Sequence, residues 1–148
     1  MLQRVVDFLR GGAGEGAGHH DDTYDTTLAV AALLIEMAVI DGEFSETERE
    51  HIVRILENEY QLSEDDVSSL LDEASAEVRS STDYWRFTNM INENYTLEEK
   101  VRIVELLWKI IYADGTVEKH EDYLIRKLAR LLGVPHEELI AAKIRTRP

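Results

Sequence analysis

The feature that most constrains this fold is an internal repeat with an offset of 73 residues. Residues 33–52 align without a gap on residues 106–125, and after a one-residue shift residues 62–67 align on residues 134–139. Self-similarity on this scale indicates one supersecondary unit that occurs twice and buries its apolar side chains against its own copy. The repeat therefore predicts two pseudo-symmetric halves around a shared core.

Helical periodicity dominates both copies, and no segment shows the strict alternation of a strand. Capping boxes at Ser45 to Glu48 and at Thr96 to Glu99 begin two of the helices. The Asp-Gly pairs at 41–42 and 114–115 end the helices before them, because glycine tolerates the positive φ of a helix end. We predict a single all-α bundle of seven to eight helices. The copies extend over about residues 28–79 and 97–146, with helices at about 24–40, 45–60, 63–79, 84–92, 96–112, 118–132 and 135–145.

The chain before the repeat has a different composition. Residues 1–10 form an amphipathic segment that predicts an N-terminal helix, with apolar side chains at helical spacing: Leu2, Val5, Val6 and Leu9. Residues 11–23 are predicted to be a glycine-rich flexible linker, and residues 24–148 the helical domain. In the long helix near residue 105, a polar stripe is expected to face solvent or to be covered by the N-terminal helix. The stripe consists of Arg102, Glu105, Lys109 and Tyr112.

Composition excludes several classes of site. The absence of cysteine removes disulfides, zinc–thiolate centres and cysteine nucleophiles. No secretory signal is recognisable, and the most apolar run, residues 28–40, is shorter than the ~20 residues that span a bilayer. We therefore expect a cytoplasmic protein whose contact with membranes is indirect or made through the N-terminal helix.

The charge is unevenly distributed along the chain. Residues 1–99 contain 6 Lys/Arg against 23 Asp/Glu, a balance of −17, whereas residues 100–148 contain 10 against 7, a balance of +3. An acidic body repels phosphate backbones, so we expect no nucleic-acid binding. The acidity favours docking of basic protein partners or divalent cations, and a solvated surface without partners is the simpler alternative. A homodimer is compatible with the sequence.

The two Asp-Gly turns provide the candidate site residues Asp41, Glu48, Asp114 and Glu121. If the halves are related by a two-fold axis, these carboxylates occupy equivalent places and could hold a calcium, manganese or magnesium ion, since hard cations prefer oxygen ligands. The alternative is that they only cap helices, which by itself contributes about 0.5–2 kcal/mol. No motif requires a cofactor, and such a divalent cation is the single cofactor candidate.

Other candidate sites are weaker. Glu48 and His51 form a Glu-x-x-His step of the kind found in di-iron bundles, but the repeat places Leu124 opposite His51. The run of residues 19–22, His-His-Asp-Asp, could chelate a transition metal, although a glycine-rich linker offers no rigid support for it. The aromatic residues near the junction are predicted to pack in the core. They are Tyr84, Trp85, Phe87, Tyr95 and Trp108.

The paired turns also carry a family resemblance. In each copy an apolar helix is followed by Asp-Gly, and a glutamate stands seven residues after the aspartate: Asp41 with Glu48, and Asp114 with Glu121. This paired pattern resembles the tellurite-resistance protein B (TerB-like) family, over about residues 24–144. The resemblance implies an all-α domain without established catalytic activity, linked to tellurite and other stress resistance.

From these observations we expect a non-catalytic TerB-like module that acts through protein interaction, via an acidic surface, in a bacterial stress response. One alternative is a divalent-metal-binding protein that uses the paired acidic turns. A further alternative is an enzyme with an unrecognised carboxylate site.

Overall fold

A computed structural model describes residues 17–40, 44–80, 84–113 and 117–148, with side chains from Asp25 onward. These ranges contain seven helices and no strand, which confirms the all-α prediction. The helices are α1 (Ala17–Ala38), α2 (Glu46–Tyr60), α3 (Glu64–Ser80), α4 (Trp85–Asn94), α5 (Leu97–Tyr112), α6 (Lys119–Leu131) and α7 (His136–Thr146).

Two of the helices begin at the capping boxes that the sequence predicted. Before α2, the Ser45 hydroxyl accepts from the Glu48 amide at 3.1 Å and the Glu48 carboxylate accepts from the Ser45 amide at 2.9 Å. Thr96 and Glu99 make the same reciprocal pair before α5, at 3.2 and 2.8 Å. Each box satisfies backbone donors that have no partner inside the helix. Both predicted capping boxes are therefore confirmed.

The start of α1 differs from the prediction. The helix begins at Ala17, whereas the sequence predicted a start at Tyr24 and a flexible linker over residues 11–23. The linker assignment is wrong for residues 17–23, which are helical. This stretch contains one glycine, Gly18, and no proline, so nothing in it blocks extension of the helix. The rest of the predicted linker and the predicted N-terminal helix lie outside the described residues.

The two copies of the repeat form halves with matching packing. In the first half α1 packs most extensively on α3, and in the second half α5 packs most extensively on α7. The first helices of the two halves, α1 and α5, pack on each other. Between the halves, α4 lies against α1 and also touches α6. Each half thus has the same arrangement of three helices, and α4 is the one element without a counterpart among the described residues.

The centre of the core is formed by α1 and α5, which carry most of the large buried side chains. Trp108 of α5 is 1% exposed, and its indole Nε1 donates a hydrogen bond of 3.1 Å to the carbonyl of Leu139 in α7. A buried indole needs such a partner because an unpaired buried N–H is costly. This contact joins the first and last helices of the second half.

The aromatic side chains predicted to be core are divided by the fold. Trp108 and Phe87 are buried, and Tyr84 and Tyr95 are half-buried. The prediction is wrong for Trp85, which is 63% exposed. The contacts of α4 are with α1 and α6, and they leave Trp85, its first residue, open to solvent. None of the described helices is long and apolar enough to cross a membrane.

Candidate functional site

The acidic residues of the two turns have equivalent places in the structure, as far as they are described. Glu48 is the third residue of α2 and bonds back to the Ser45 amide. Glu121 is the third residue of α6, is 3% exposed, and accepts from the Glu118 amide at 3.0 Å. Both carboxylates therefore stabilise helix starts. Asp41 and Asp114 lie outside the described residues, so a grouping of the four candidates stays a prediction.

Metal binding by these residues stays a prediction. Within the described ranges, no three or more His, Asp or Glu side chains are grouped so that they could hold a metal ion. His51 is half-buried on α2, and its repeat equivalent Leu124 is buried in the core. The second half therefore has an apolar side chain where a di-iron bundle needs a ligand. The side chains of residues 19–22 are not among those described.

A groove of about 320 Å³ lies between α2 and α3. Arg49 crosses it, donating to the Asp72 carboxylate at 2.9 Å and to the Ser68 carbonyl at 3.3 Å, and so ties the two helices together. Carboxylates predominate along its walls, with Val53 as an apolar side chain. We call this feature the acidic groove. Its lining residues are Glu46, Arg49, Glu50, Val53, Arg54, Glu57, Glu64 and Ser68.

The acidic groove belongs to the most negative part of the described chain. Residues 44–80 contain 11 Asp/Glu against 3 Lys/Arg, a balance of −8, whereas residues 117–148 contain 5 against 7, a balance of +2. These two stretches are repeat equivalents, so the fold accommodates either sign of charge. In the second copy the positions of the groove glutamates Glu46, Glu57 and Glu64 are occupied by Lys119, Arg130 and His136.

The negative charge was predictable from the sequence, but the groove was not. The signal was available in the repeat, because aligned positions that are exposed in both copies and opposite in charge are free of the packing requirement. Buried positions such as Ile52 and Ile125 are apolar in both copies. Comparing aligned positions of the two copies therefore separates residues that the fold requires from residues that it tolerates.

A second charged cluster lies where α5 meets its neighbours. The Arg102 guanidinium donates to both Glu59 carboxylate oxygens, with Nη2 at 2.9 Å from Oε1, and also to Glu105 at 2.9 Å. Arg145 of α7 donates to the other oxygen of Glu105 at 2.7 Å. Burial alone would raise the pKa of Glu105, but the hydrogen bonds from the two arginines outweigh it and lower that pKa.

The prediction of a solvent-facing stripe is wrong for Glu105, which lies inside this cluster. The side chain of Glu105 is only 14% exposed, because Arg102 and Arg145 enclose it. Arg102 and Glu105 pair with each other and bind α2 and α7 to α5. Covering of this stripe by residues 1–10 stays a prediction.

Two carboxyl groups of the first half have pKa values raised above the ordinary value for glutamate. Burial raises the pKa of Glu36, and a hydrogen bond with Tyr84 works in the opposite direction. Burial also raises the pKa of Glu73, and the nearby Glu77 adds to this effect. One oxygen of Glu73 is buried without a hydrogen-bond partner. These groups make stability depend on pH, since their charged forms are disfavoured by folding.

Comparison with known proteins extends over both halves. A family model of the tellurite resistance protein TerB matches residues 27–144, from α1 through α7. No curated protein and no solved structure gives a significant match. The matched range contains both repeat copies together with α4. This chain therefore belongs to the TerB tellurite resistance protein family.

Proposed function

We propose that this chain is a non-catalytic TerB-family module that binds a basic segment of a protein partner in its acidic groove, within a bacterial cytoplasmic stress response of the tellurite-resistance type. The observation that carries the proposal is the charge reversal between the repeat copies. Glu46, Glu57 and Glu64 are not needed for folding, because basic side chains occupy the equivalent positions. A cluster of exposed and half-buried carboxylates that the fold does not require is therefore available for binding.

The groove suits a basic amphipathic segment. Its carboxylates attract lysine and arginine side chains, and Val53 offers an apolar contact between them. Arg49 is engaged with Asp72 and so competes little for these carboxylates. A strongly negative surface also accelerates encounters with a positive partner, and this acceleration falls as salt is added. The proposal therefore includes a salt-dependent association.

The direct test uses a synthetic helical peptide with lysines on one face and leucines on the other, titrated by calorimetry. The double variant Glu50→Lys/Glu57→Lys reverses two groove charges and is expected to weaken binding at least about tenfold, as the loss of charge pairs at an interface does. The matched control, Glu93→Lys/Glu137→Lys, changes the net charge equally on exposed parts of α4 and α7. An equal loss of affinity in the control would mean nonspecific attraction and would contradict the proposal.

The cellular part of the proposal is tested in a strain that lacks this gene. Wild-type protein and the Glu93→Lys/Glu137→Lys control are expected to restore growth on potassium tellurite, whereas Glu50→Lys/Glu57→Lys should not. Protein levels are compared by immunoblot, so that loss of folding is not mistaken for loss of binding. Full restoration by the groove variant would contradict a role for the acidic groove.

Divalent-metal binding at the two acidic turns is a second proposal. It is supported by the equivalent positions of Glu48 and Glu121, one at the start of the second helix in each half. Oxygen donors of this kind favour calcium, manganese or magnesium over softer metals. Calorimetric titration with the three ions tests it, as described among the predictions below.

A further inference from the structure

The outer surface of α6, with the start of α4 beside it, is unlike the rest of the described surface. Tyr123 is 68% exposed and Trp85 is 63% exposed, which makes them the two most exposed of the large hydrophobic side chains described. Cationic side chains lie along the same helix. We call this surface the basic aromatic face, defined by Tyr84, Trp85, Lys119, His120, Tyr123 and Lys127.

Tyr84, one of the aromatic residues of this face, is held by contacts with two helices. Tyr84 hydrogen-bonds to Glu36 of α1, and the Lys127 ammonium lies 5.2 Å from the centre of the Tyr84 ring. Tyr84 thereby connects α1 with α6 at the point where α4 begins, and Trp85 is the next residue. Aromatic side chains on such a support bind with little loss of conformational entropy, because few rotatable bonds remain to be ordered.

An open pocket of about 430 Å³ lies on this face, between the end of α1 and the start of α6. Ile40 and Tyr123 provide apolar walls, and the side chains of Lys119 and His120 complete the lining. The pocket is concave and largely apolar, with a lysine at its edge. It therefore has the shape and chemistry to accept one large aliphatic or aromatic side chain whose neighbours are acidic.

The repeat shows that the fold does not require this surface. Tyr123 aligns with Glu50, and Lys119 aligns with Glu46, both in the acidic groove. The equivalent positions of the first copy are thus occupied by carboxylates, and that half folds with the same helix packing. Tyr123 and Ile40 are contiguous around one pocket, and contiguous exposed apolar surface is typical of binding sites.

We propose that the basic aromatic face binds an acidic amphipathic segment of a partner protein. One large apolar side chain of the partner occupies the pocket beside Tyr123, and neighbouring carboxylates pair with Lys119 and Lys127. The stretch of residues 117–148 has a balance of +2 in a chain whose net charge is −14. The lysines beside the pocket attract the carboxylates of a short segment at close range, whereas a second copy of the chain would bring a further net charge of −14 against this one. The proposal concerns a different surface from the acidic groove and does not depend on it.

The test uses the two tryptophan indole signals in a two-dimensional NMR spectrum of the full chain. The probe is a synthetic peptide of glutamates with two leucines spaced four residues apart. The Trp85 indole signal is expected to shift on titration, while the Trp108 signal should stay in place, because that indole is buried and bonded to Leu139. A peptide with serine for leucine and one with lysine for glutamate are expected to bind at least about tenfold more weakly.

Two variants locate the binding surface. Tyr123→Glu introduces the type of residue found at the equivalent position and should weaken peptide binding at least about tenfold. The matched control is Ile144→Glu on α7, where the isoleucine is 57% exposed, and it should bind as the wild type does. The groove variant Glu50→Lys/Glu57→Lys should also keep the affinity, so that failure of either proposal is recognised separately.

Several results would overturn the proposal. Equal binding of the serine peptide would exclude the pocket, and unchanged binding by Tyr123→Glu would exclude the face. Self-association of the free protein that Tyr123→Glu abolishes would identify a second copy as the occupant. Binding to phosphatidylserine vesicles in place of the peptide would identify a lipid surface instead.

Discussion

The two halves of this protein have the same helix packing and opposite outer surfaces. In both halves the first helix packs on the third, and the aligned residues Ile52 and Ile125 are buried. Outside the core, the stretch 44–80 is strongly acidic, whereas its equivalent, 117–148, is weakly basic and exposes Tyr123. Packing limits what a buried position can hold, and solvent does not limit an exposed one. The differences between the halves are therefore the best guide to binding.

The helices at the centre of the two halves differ for another reason. On α1, Ala29 and Ala32 are buried, and Ala29 borders the residues of α4. Their repeat equivalents on α5 are Arg102 and Glu105, which form ion pairs with α2 and α7. Because α4 has no counterpart among the described residues, no extra helix packs on the equivalent surface of α5. Ion pairs with α2 and α7 occupy that surface instead. One extra helix thus breaks the symmetry of the pair.

The largest expected loss of stability comes from a substitution at the centre of the second half. Trp108→Ala should lower the free energy of unfolding by about 3–5 kcal/mol, because it removes a large buried side chain and leaves a cavity. Chemical denaturation measures this loss. The control is Trp85→Ala, which removes the exposed tryptophan and should change stability by no more than about 0.5 kcal/mol. Similar losses for the two variants would contradict the division between buried and exposed tryptophan.

The ion pairs sharpen the comparison of α5 with α1. Arg102→Ala places the residue of the first half into the second and should cost about 1–2 kcal/mol, since it removes charge-assisted hydrogen bonds to two partly buried carboxylates. The control is Arg86→Ala, which removes an exposed pair with Glu77 and should cost less than about 0.5 kcal/mol. Urea denaturation distinguishes the two. An equal or smaller loss for Arg102→Ala would show that the cluster contributes no stability.

One carboxylate in each half should respond to pH with opposite sign. The pKa of Glu73 is raised by folding, so its contribution is complete below the ordinary value of 4.5 and is lost as pH rises through the raised pKa. The pKa of Glu105 is lowered, so its contribution is present above 4.5 and is lost as pH falls through the lowered pKa. At pH 7, Glu73→Gln should therefore stabilise the protein and Glu105→Gln should destabilise it.

Denaturant midpoints at pH 7 and at about pH 4 test both expectations. Glu73→Gln should approach the wild type at the lower pH, where Glu73 is protonated, and the loss in Glu105→Gln should shrink as pH falls from 4.5 toward the lowered pKa of Glu105. If both substitutions changed the stability at pH 7 in the same direction, the contrast between the halves would be contradicted.

The smallest stability effects are expected at the paired acidic turns. Glu48→Gln should cost no more than about 0.5 kcal/mol, because glutamine can accept the same hydrogen bond from the Ser45 amide. Metal binding would give a different result. Calorimetry with calcium, manganese and magnesium should then show binding by the wild type and none by Asp41→Asn/Asp114→Asn, which removes two charged ligands. A wild-type protein that binds none of the ions below about millimolar concentration would end the metal proposal.

The sequence alone determined the local and repeated parts of this structure. Capping residues such as Ser45 and Thr96 act within one turn of the chain, and the 73-residue repeat carries the apolar pattern of both halves. These signals depend on neighbours in sequence, so they predicted the helices and the family. The start of α1 was not predicted, because a glycine-rich composition indicated a linker where helix is formed.

Tertiary structure alone decided which polar and aromatic residues are covered. Trp85 and Trp108 are both tryptophans, but their exposure differs. Trp85 stays open to solvent at the start of α4, whereas the contact between α5 and α7 buries Trp108. Arg102 and Glu105 look solvent-facing in sequence, and they form a partly buried ion-pair cluster only when α2 and α7 meet α5. The acidic groove likewise arises from two helices placed side by side. Coverage depends on residues distant in sequence, and for that reason no local pattern could reveal it.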